Sequence, residues 1–370
     1  MAANLKEQIN AAIANVKDIL NLVPKNIIGI DIGLSSIKMA EVKRSGSDFK
    51  LIGYSSVDLV EGCLIEDEIQ KEEEVVRALE KGLAELRSSA QFACIGLYGP
   101  NTVARKLQLA GGSYEEIEDQ VSWEAEQYLP FPIDSSSLAF HVFGENEGGG
   151  IDVLVAAAKN SVVENFKNVV EKTKLKVKIV DLQITAITNV FEQVMGDKLN
   201  DPNSSWLLVD IGAQKTEFII YRQGSIAFGK EMSIGGVMIT EEIQRQMGVN
   251  YMEAEDLKIT GDENGNLPEE IMEIIDDVLE AFFAEIKKTV DFYVTSSSDD
   301  NIKECVISGG GALIPGLVEG LETLLGISIS VLNPFDKFTY DKKKFDEDTI
   351  HSIAFRGGVA LGLAMRQIGK

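Results

Sequence analysis

The chain carries Ile27-Ile28-Gly29-Ile30-Asp31-Ile32-Gly33 just after Pro24, and Trp206-Leu207-Leu208-Val209-Asp210-Ile211-Gly212 far downstream. Each is a short apolar run, the pattern of a strand buried on both faces, that ends in an acid and a glycine. Strand-like runs Ile37 to Val42 and Phe49 to Tyr54 follow the first block, and Glu217 to Tyr221 and Ser225 to Lys230 follow the second. Placing Asp31 on Asp210 superimposes the whole arrangement. The repeat predicts two related lobes, each opened by a strand, a tight turn and a returning strand.

Such a turn has a definite chemical use. A strand ending in Asp and Gly and reversing tightly can aim successive backbone N–H groups at an anion, and Gly33 and Gly212 let a phosphate approach the backbone. A well-aligned hydrogen bond to a charged group contributes on the order of 1.5 to 3 kcal/mol. The carboxylates of Asp31 and Asp210 suit Mg²⁺ held through its waters, because that ion dehydrates reluctantly. Lys38, on the returning strand, brings a point charge to the first turn. One Asp-Ile-Gly by itself is a common strand-to-turn device. A third block changes that: Ser308-Gly309-Gly310-Gly311-Ala312 follows the strand Cys305-Val306-Ile307 and opens a helix, so nothing bulky obstructs a flat ring or a phosphate there.

The bulk composition narrows the function classes. At 370 residues the chain exceeds what one core usually serves, which leaves room for a cleft between lobes. A formal net charge of −24 argues against nucleic acid or anionic lipid as the main partner, since both would be repelled over most of the surface. Cys63, Cys94 and Cys305 form no Cys-x-x-Cys and sit in or beside apolar runs, so buried, reduced thiols are expected. With only His141 and His351, a histidine triad or a His-rich zinc site has almost no raw material. No apolar run approaches the roughly 20 residues of a membrane helix, and Lys17 and Asp18 interrupt any signal-peptide core. The protein is expected to stay in the cytoplasm.

These patterns divide the chain into four segments. Leu5, Ile9, Ile13, Val16, Leu20 and Val23 mark an amphipathic helix within residues 1–25, which either packs on its own protein or docks a partner. The first lobe covers 26–203, with a charged helix at about 68–87 and an inserted subdomain at about 92–176. The second covers 204–345, with an insertion at about 241–300 that contains a long acidic helix from Pro268 to Thr295. Residues 346–370 return as a helix to the first lobe. Within the first insertion, Ser113 and Glu116 form a capping box for a helix whose core stripe is Ile117, Val121, Ala125 and Tyr128. Trp123 falls on the opposite, polar side, so it is expected to pack beyond that stripe, on a neighbouring strand or on a partner.

The three glycine-bearing blocks resemble the phosphate-one, phosphate-two and adenosine motifs of the actin-like ATPase superfamily, over nearly all of residues 26–370. Within it, three stretches resemble the signature of the PilM family of type IV pilus assembly proteins, which is FtsA-like. They are Trp123-Glu124-Ala125-Glu126-Gln127-Tyr128-Leu129-Pro130-Phe131-Pro132-Ile133-Asp134, Gly29 to Gly33, and Ser308 to Leu317. The resemblance implies an α/β fold of two lobes around a nucleotide cleft, each lobe with an inserted subdomain, and ATP with Mg²⁺ as cofactors. It also implies a cytoplasmic scaffold at the inner face of the membrane that binds the cytoplasmic tail of PilN, which pairs with PilO, and so serves pilus assembly and twitching motility. Membrane association would run only through partners; other pilus proteins and a homo-oligomer are further partners it admits.

By matching motif positions, Asp31, Gly33, Leu34, Ser35, Ser36 and Lys38 would form the first phosphate turn, and Asp210, Gly212, Ala213 and Thr216 the second. Gly235 and Gly236, with Glu255 and Lys258, resemble positions approaching phosphate and ribose, although Glu255 and Lys258 also read as a plain pair on one helix face. Gly309, Gly310 and Gly311 would face adenosine. Asp31 and Asp210 would hold the metal through water, and Gln183 would stand with them as a catalytic residue orienting the attacking water. Two departures argue against fast hydrolysis, leaving an ATPase that is slow or absent. Gln183 follows Leu182 in place of the common Glu-Pro, and Lys215 precedes Thr216 where chaperone-like ATPases have Gly-Thr.

Two rivals use the same fold. An FtsA-like membrane-tethered filament protein predicts a C-terminal amphipathic anchor, whereas Gln367-Ile368-Gly369-Lys370 comes directly after the last helix. A small-molecule kinase needs a catalytic Asp facing a sugar in the first lobe, and no candidate is assignable. All the ATP-based readings require Asp31 and Asp210 to face one shared crevice.

Overall fold

Strand β1 (Ile27–Ile32) is buried at every position, Asp31 included, as its isoleucines require. In the computed structural model, which describes residues 27–65, 67–146, 148–260, 266–297, 299 and 301–366, β1 is the centre of a six-stranded sheet. The expected N-terminal helix lies outside the described residues, as does nearly all of the turn-rich segment 261–266. Strands β2 (Ser36–Ser45) and β3 (Asp48–Asp58) return from β1 as an antiparallel meander. The two-stranded hairpin β4 (Leu64–Ile65) and β5 (Glu68–Ile69) precedes helix Glu72–Leu86, which leads over to β6 (Phe92–Leu97), parallel to β1.

A separate three-stranded sheet follows, with β7 (Thr102–Leu109), helix Tyr114–Tyr128, β8 (Ser136–Glu145) and β9 (Ile151–Lys159), β9 pairing with both neighbours. Its small core joins Leu109, Ile117, Val121, Val153 and Val155. The chain then passes through helix Asn160–Glu171 to β10 (Lys176–Leu182), which pairs parallel with β6. The insertion is therefore narrower than 92–176: β6 belongs to the main sheet, and the independent subdomain spans 102–159. A parallel strand inside a sheet needs a long crossover, and this subdomain is set into one.

Helix Gln183–Met195 leads to the second sheet, β11 (Ser205–Ile211), β12 (Thr216–Arg222), β13 (Ser225–Met232), β14 (Ile302–Ser308) and β15 (Ser328–Val331). The order β13-β12-β11-β14-β15 repeats β3-β2-β1-β6-β10 strand for strand. Between β13 and β14 lie helices Val237–Met247, Tyr251–Thr260 and Glu269–Ser297. The strand β16 (Phe338–Thr339) already pairs with β3, so the chain rejoins the first lobe before residue 346.

The two lobes are joined by alternation along β11. Trp206 and Leu208 face the core shared with the first lobe, and Leu207, Val209 and Ile211 face the core of the second. The C-terminal segment forms helices Glu347–Arg356 and Gly358–Ala364, the latter buried throughout. Its backbone reaches β1 at Gly29, where a side chain would overlap Ala360 and Ala364.

Candidate functional site

Both hairpin turns close in the same way. The Gly33 N–H donates to the Ser36 carbonyl at 3.0 Å, and the Gly212 N–H donates to the Lys215 carbonyl at 2.8 Å. A Cβ at either glycine would stand 3.2 or 3.0 Å from that carbonyl. With the glycine N–H groups used inside the turns, the tips Leu34-Ser35 and Ala213-Gln214 are the parts able to meet a ligand. Ser35 is exposed and Ser36 buried, while Leu34 packs against the first core.

The antiparallel register places Lys38 opposite Asp31 and Glu217 opposite Asp210. Lys38 Nζ lies 3.5 Å from Asp31 Oδ2, above the Gly33 turn. The other oxygen of Asp31 accepts a 2.8 Å bond from Gln183 Nε2, donated by the first residue of the crossover helix. Gln183 is thus held on the acid itself.

Asp210 is part-exposed, yet protein surrounds its carboxyl. Burial pushes its pKa above the ordinary carboxylate range, a hydrogen bond with Ser308 opposes this, the charge of Asp31 raises it further, and Lys215 and Lys38 lower it. Asp31 and Lys38 act on Asp210 from the other lobe. The two acidic turns are therefore near enough for each to feel the other's charge.

Parallel pairing of Asp210 with Ser308 brings the glycine loop to the same place. Gly309 adopts φ +85°, and a side chain there would run into the Ile211 carbonyl; one on Gly311 would strike the Ile211 side chain. Glycine lets the loop lie flat on the end of β11. Residues Gly310–Leu313 make one 3₁₀ turn, and the Arg356 side chain stands beside Gly310.

Five of the expected residues make contacts within the second lobe. A Cβ on Gly235 would lie 2.5 Å from the Ala213 carbonyl, and the N–H groups of Gly236 and Val237 donate to the Gly212 and Ala213 carbonyls at 3.1 and 2.7 Å. Gly235 and Gly236 hence brace the second turn from behind. Thr216 is fully buried, and its hydroxyl donates to the Ile234 carbonyl at 2.8 Å. Lys258 and Glu255 are more than a surface pair: Lys258 Nζ reaches the Gly236 carbonyl at 3.2 Å, Thr240 Oγ1 at 2.8 Å and Glu255 Oε2 at 2.6 Å.

The structure also adds residues that carried no role in the sequence. Arg356 flanks the glycine loop, and Tyr98 with Glu231 lies between the lobes. Their partners are far away in the chain, so no local pattern announces them. Elsewhere Trp123 is 64% exposed, which corrects the expectation that it packs on a neighbouring strand. The capping box forms as expected, Ser113 taking the Glu116 N–H and Glu116 the Ser113 N–H. The three cysteines are free and buried.

A duplicated sheet order, with an acidic hairpin in each half and a glycine loop beside the second acid, defines a protein of the actin-like ATPase fold. The chain belongs to the PilM family: the sequence model described as type IV pilus assembly protein PilM matches residues 29–368. Among solved structures, a PilM-PilN type IV pilus biogenesis complex superimposes with a TM-score of 0.82 at 25% identity, covering 93% of this chain and 99% of that one. The ethanolamine utilization protein EutJ of Carboxydothermus hydrogenoformans shares the fold, with a TM-score of 0.54 at 16% identity and 95% of each chain covered. The cell division protein FtsA of Enterococcus hirae is 21% identical over 357 residues, 83% of this chain and 78% of that protein. Among the described residues no helix is long and apolar enough to cross a membrane.

Proposed function

We propose that the chain is a Mg-ATP-binding scaffold of the type IV pilus inner-membrane assembly complex, cytoplasmic and placed at the inner face of the membrane by binding the cytoplasmic tail of PilN. The observation that carries the nucleotide half is the matched pair of acidic hairpin turns, with Lys38 3.5 Å from Asp31 over the first and the glycine loop brought to the second by the pairing of Asp210 with Ser308. The donor set fits the group: two carboxylates, a lysine and two glycine-permitted turn tips match a phosphate chain with a cation that keeps its waters. Among the described residues no three acids, histidines or cysteines gather to hold a metal directly, so the nucleotide's own phosphates would complete its shell. When bound, Mg-ATP would supply negative charge that the two turns hold in common. Asp31 and Asp210 would anchor the cation's waters, Lys38 would offset phosphate charge, and Gly309, Gly310 and Gly311 would leave room for the base.

Hydrolysis is slow or absent in this scheme. The Thr216 hydroxyl is buried and spent on a carbonyl, and the Gln183 amide is tied to Asp31 through one N–H, so the first is not free to hold a water in line and the second is oriented by the acid. Lobe closure around nucleotide then serves to set how a partner is held. Support for PilN comes from the match to a PilM-PilN complex at a TM-score of 0.82.

Calorimetry of the full chain tests both halves. Mg-ATP and a peptide of the PilN cytoplasmic tail should each give saturable heat, and Lys38→Met should weaken ATP by about tenfold or more, as loss of a charge-assisted contact implies. No heat with Mg-ATP overturns the nucleotide half; no heat with the peptide overturns the partner half.

A further inference from the structure

Lys215 sits on the second turn, but its ammonium is spent elsewhere. Nζ lies 2.8 Å from Glu231 Oε2 and 3.2 Å from Glu217 Oε1, and 3.9 Å from the centroid of the Tyr98 ring in the first lobe. Glu231 Oε2 also accepts the Gly99 N–H at 3.0 Å. Two consecutive residues of the first lobe are thus gripped by a lysine and a glutamate of the second.

The segment beyond Gly99 gives the grip its consequence. Gly99 turns with φ +92° against Asp67, and Asp67 takes both the backbone N–H and the side-chain amide of Asn101 at 3.2 Å. The Asn101 carbonyl accepts the Lys159 N–H at 3.0 Å. Residues 99–101 lead into the three-stranded subdomain and Lys159 leads out of it. Its stem is therefore held from both lobes at once.

We propose that Lys215 and Glu231 are positioning residues that tie the inserted subdomain to the second lobe, so that a change in lobe separation at the acidic turns reaches helix Tyr114–Tyr128 through residues 98–101. The Lys215 carbonyl closes the very turn that bears Gly212, so the ammonium and the turn move as one piece. The ammonium, two carboxylates and a ring face satisfy one another in a mostly buried place, and separating them would strand a charge. Tyr98 contributes its ring rather than its hydroxyl, which is buried without a hydrogen-bond partner.

The inference rests on the nucleotide reading above, and one set of measurements separates them. The native cysteines are buried, so spin labels at Lys81→Cys and Gln127→Cys report subdomain against first lobe, and labels at Lys81→Cys and Thr323→Cys report lobe against lobe. In the parent, saturating Mg-ATP should shift both distances. In Lys215→Met and in Tyr98→Leu the lobe distance should still shift while the subdomain shift falls roughly threefold or more. Lys215→Arg and Tyr98→Phe, which keep the cation and the ring, should restore it, which a general loss of stability would not allow. Glu231→Gln replaces either variant that fails to fold. A subdomain that stays still in the parent while its lobes close, or moves equally in Lys215→Met and Tyr98→Leu, overturns the coupling alone. Absence of ATP heat in the parent overturns the nucleotide reading and the coupling with it.

Discussion

The side-chain amide of Gln183 donates to Asp31 Oδ1 across 2.8 Å, joining the start of the crossover helix to the acid of the first hairpin. Both residues are buried. Gln183→Glu sets a second carboxylate against Asp31 in place of a donor, so stability at neutral pH should fall by about 1 to 3 kcal/mol. Protonation should recover part of the loss, since one shared proton restores a donor. Urea unfolding at pH 7 and at a pH near the carboxylate range checks this, and a variant as stable as the parent at pH 7 would contradict it.

Two glycines with similar φ should respond very differently to alanine. Gly224 has φ +75° with nothing within 4 Å of a built Cβ, whereas Gly309 has φ +85° with the Ile211 carbonyl in the way. Gly224→Ala should cost about 1 kcal/mol, the left-handed penalty alone. Gly309→Ala should cost roughly 3 kcal/mol or more, because β11 must also move. Thermal unfolding of both variants gives the comparison, and equal costs would mean the glycine loop does not lie on β11.

The pH dependence of folding should carry a mark from Glu192. Tyr221 donates to its Oε1 at 2.8 Å, yet burial dominates and raises its pKa above the usual value, with Tyr221 and Arg366 opposing. A carboxyl whose folded pKa is raised releases its proton first in the unfolded chain. Its contribution to stability is then present at pH values below the unfolded pKa and is lost as pH rises through the folded one. Glu192→Gln should remove that slope, becoming more stable relative to the parent as pH climbs from 4 to 7. Chemical unfolding across that range reads it directly; a constant difference would show that Glu192 ionises without penalty.

Trp123 stands on the outer face of helix Tyr114–Tyr128, 64% exposed, while Ile117, Val121 and Ala125 fill the inner face. Trp123→Ala should leave stability within about 0.5 kcal/mol of the parent, as for most surface changes. If this face receives the PilN tail, the same substitution should weaken the peptide by about tenfold, since an exposed tryptophan is a frequent anchor in interfaces. Unfolding and peptide calorimetry on one preparation separate the outcomes, and unchanged peptide affinity would place the tail elsewhere.

Much of the fold was legible because it is written locally. The apolar runs ending at Asp31 and Asp210 announce buried strands, and the strands after each, once aligned, announce a duplication that the matching sheet orders display. The capping box at Ser113 and Glu116 likewise needs only neighbours in the chain. The limits of the inserted subdomain were misplaced because β6 looks like any other short apolar strand; only its pairing with β1 assigns it to the main sheet.

The residues alone singled out the candidates for holding a phosphate chain: paired Asp-Ile-Gly turns, Lys38 and a run of glycines, each a local pattern with its own chemistry. Tertiary structure decided how each of them is used. It set Gln183 on Asp31, turned Gly235 and Gly236 into braces, buried the Thr216 hydroxyl and drew Lys215 away to Glu231 and Tyr98. Hydrogen bonds and ion pairs between residues more than a hundred positions apart, such as Gly99 with Glu231, depend on how two sheets come together. A one-dimensional pattern holds no term for that distance.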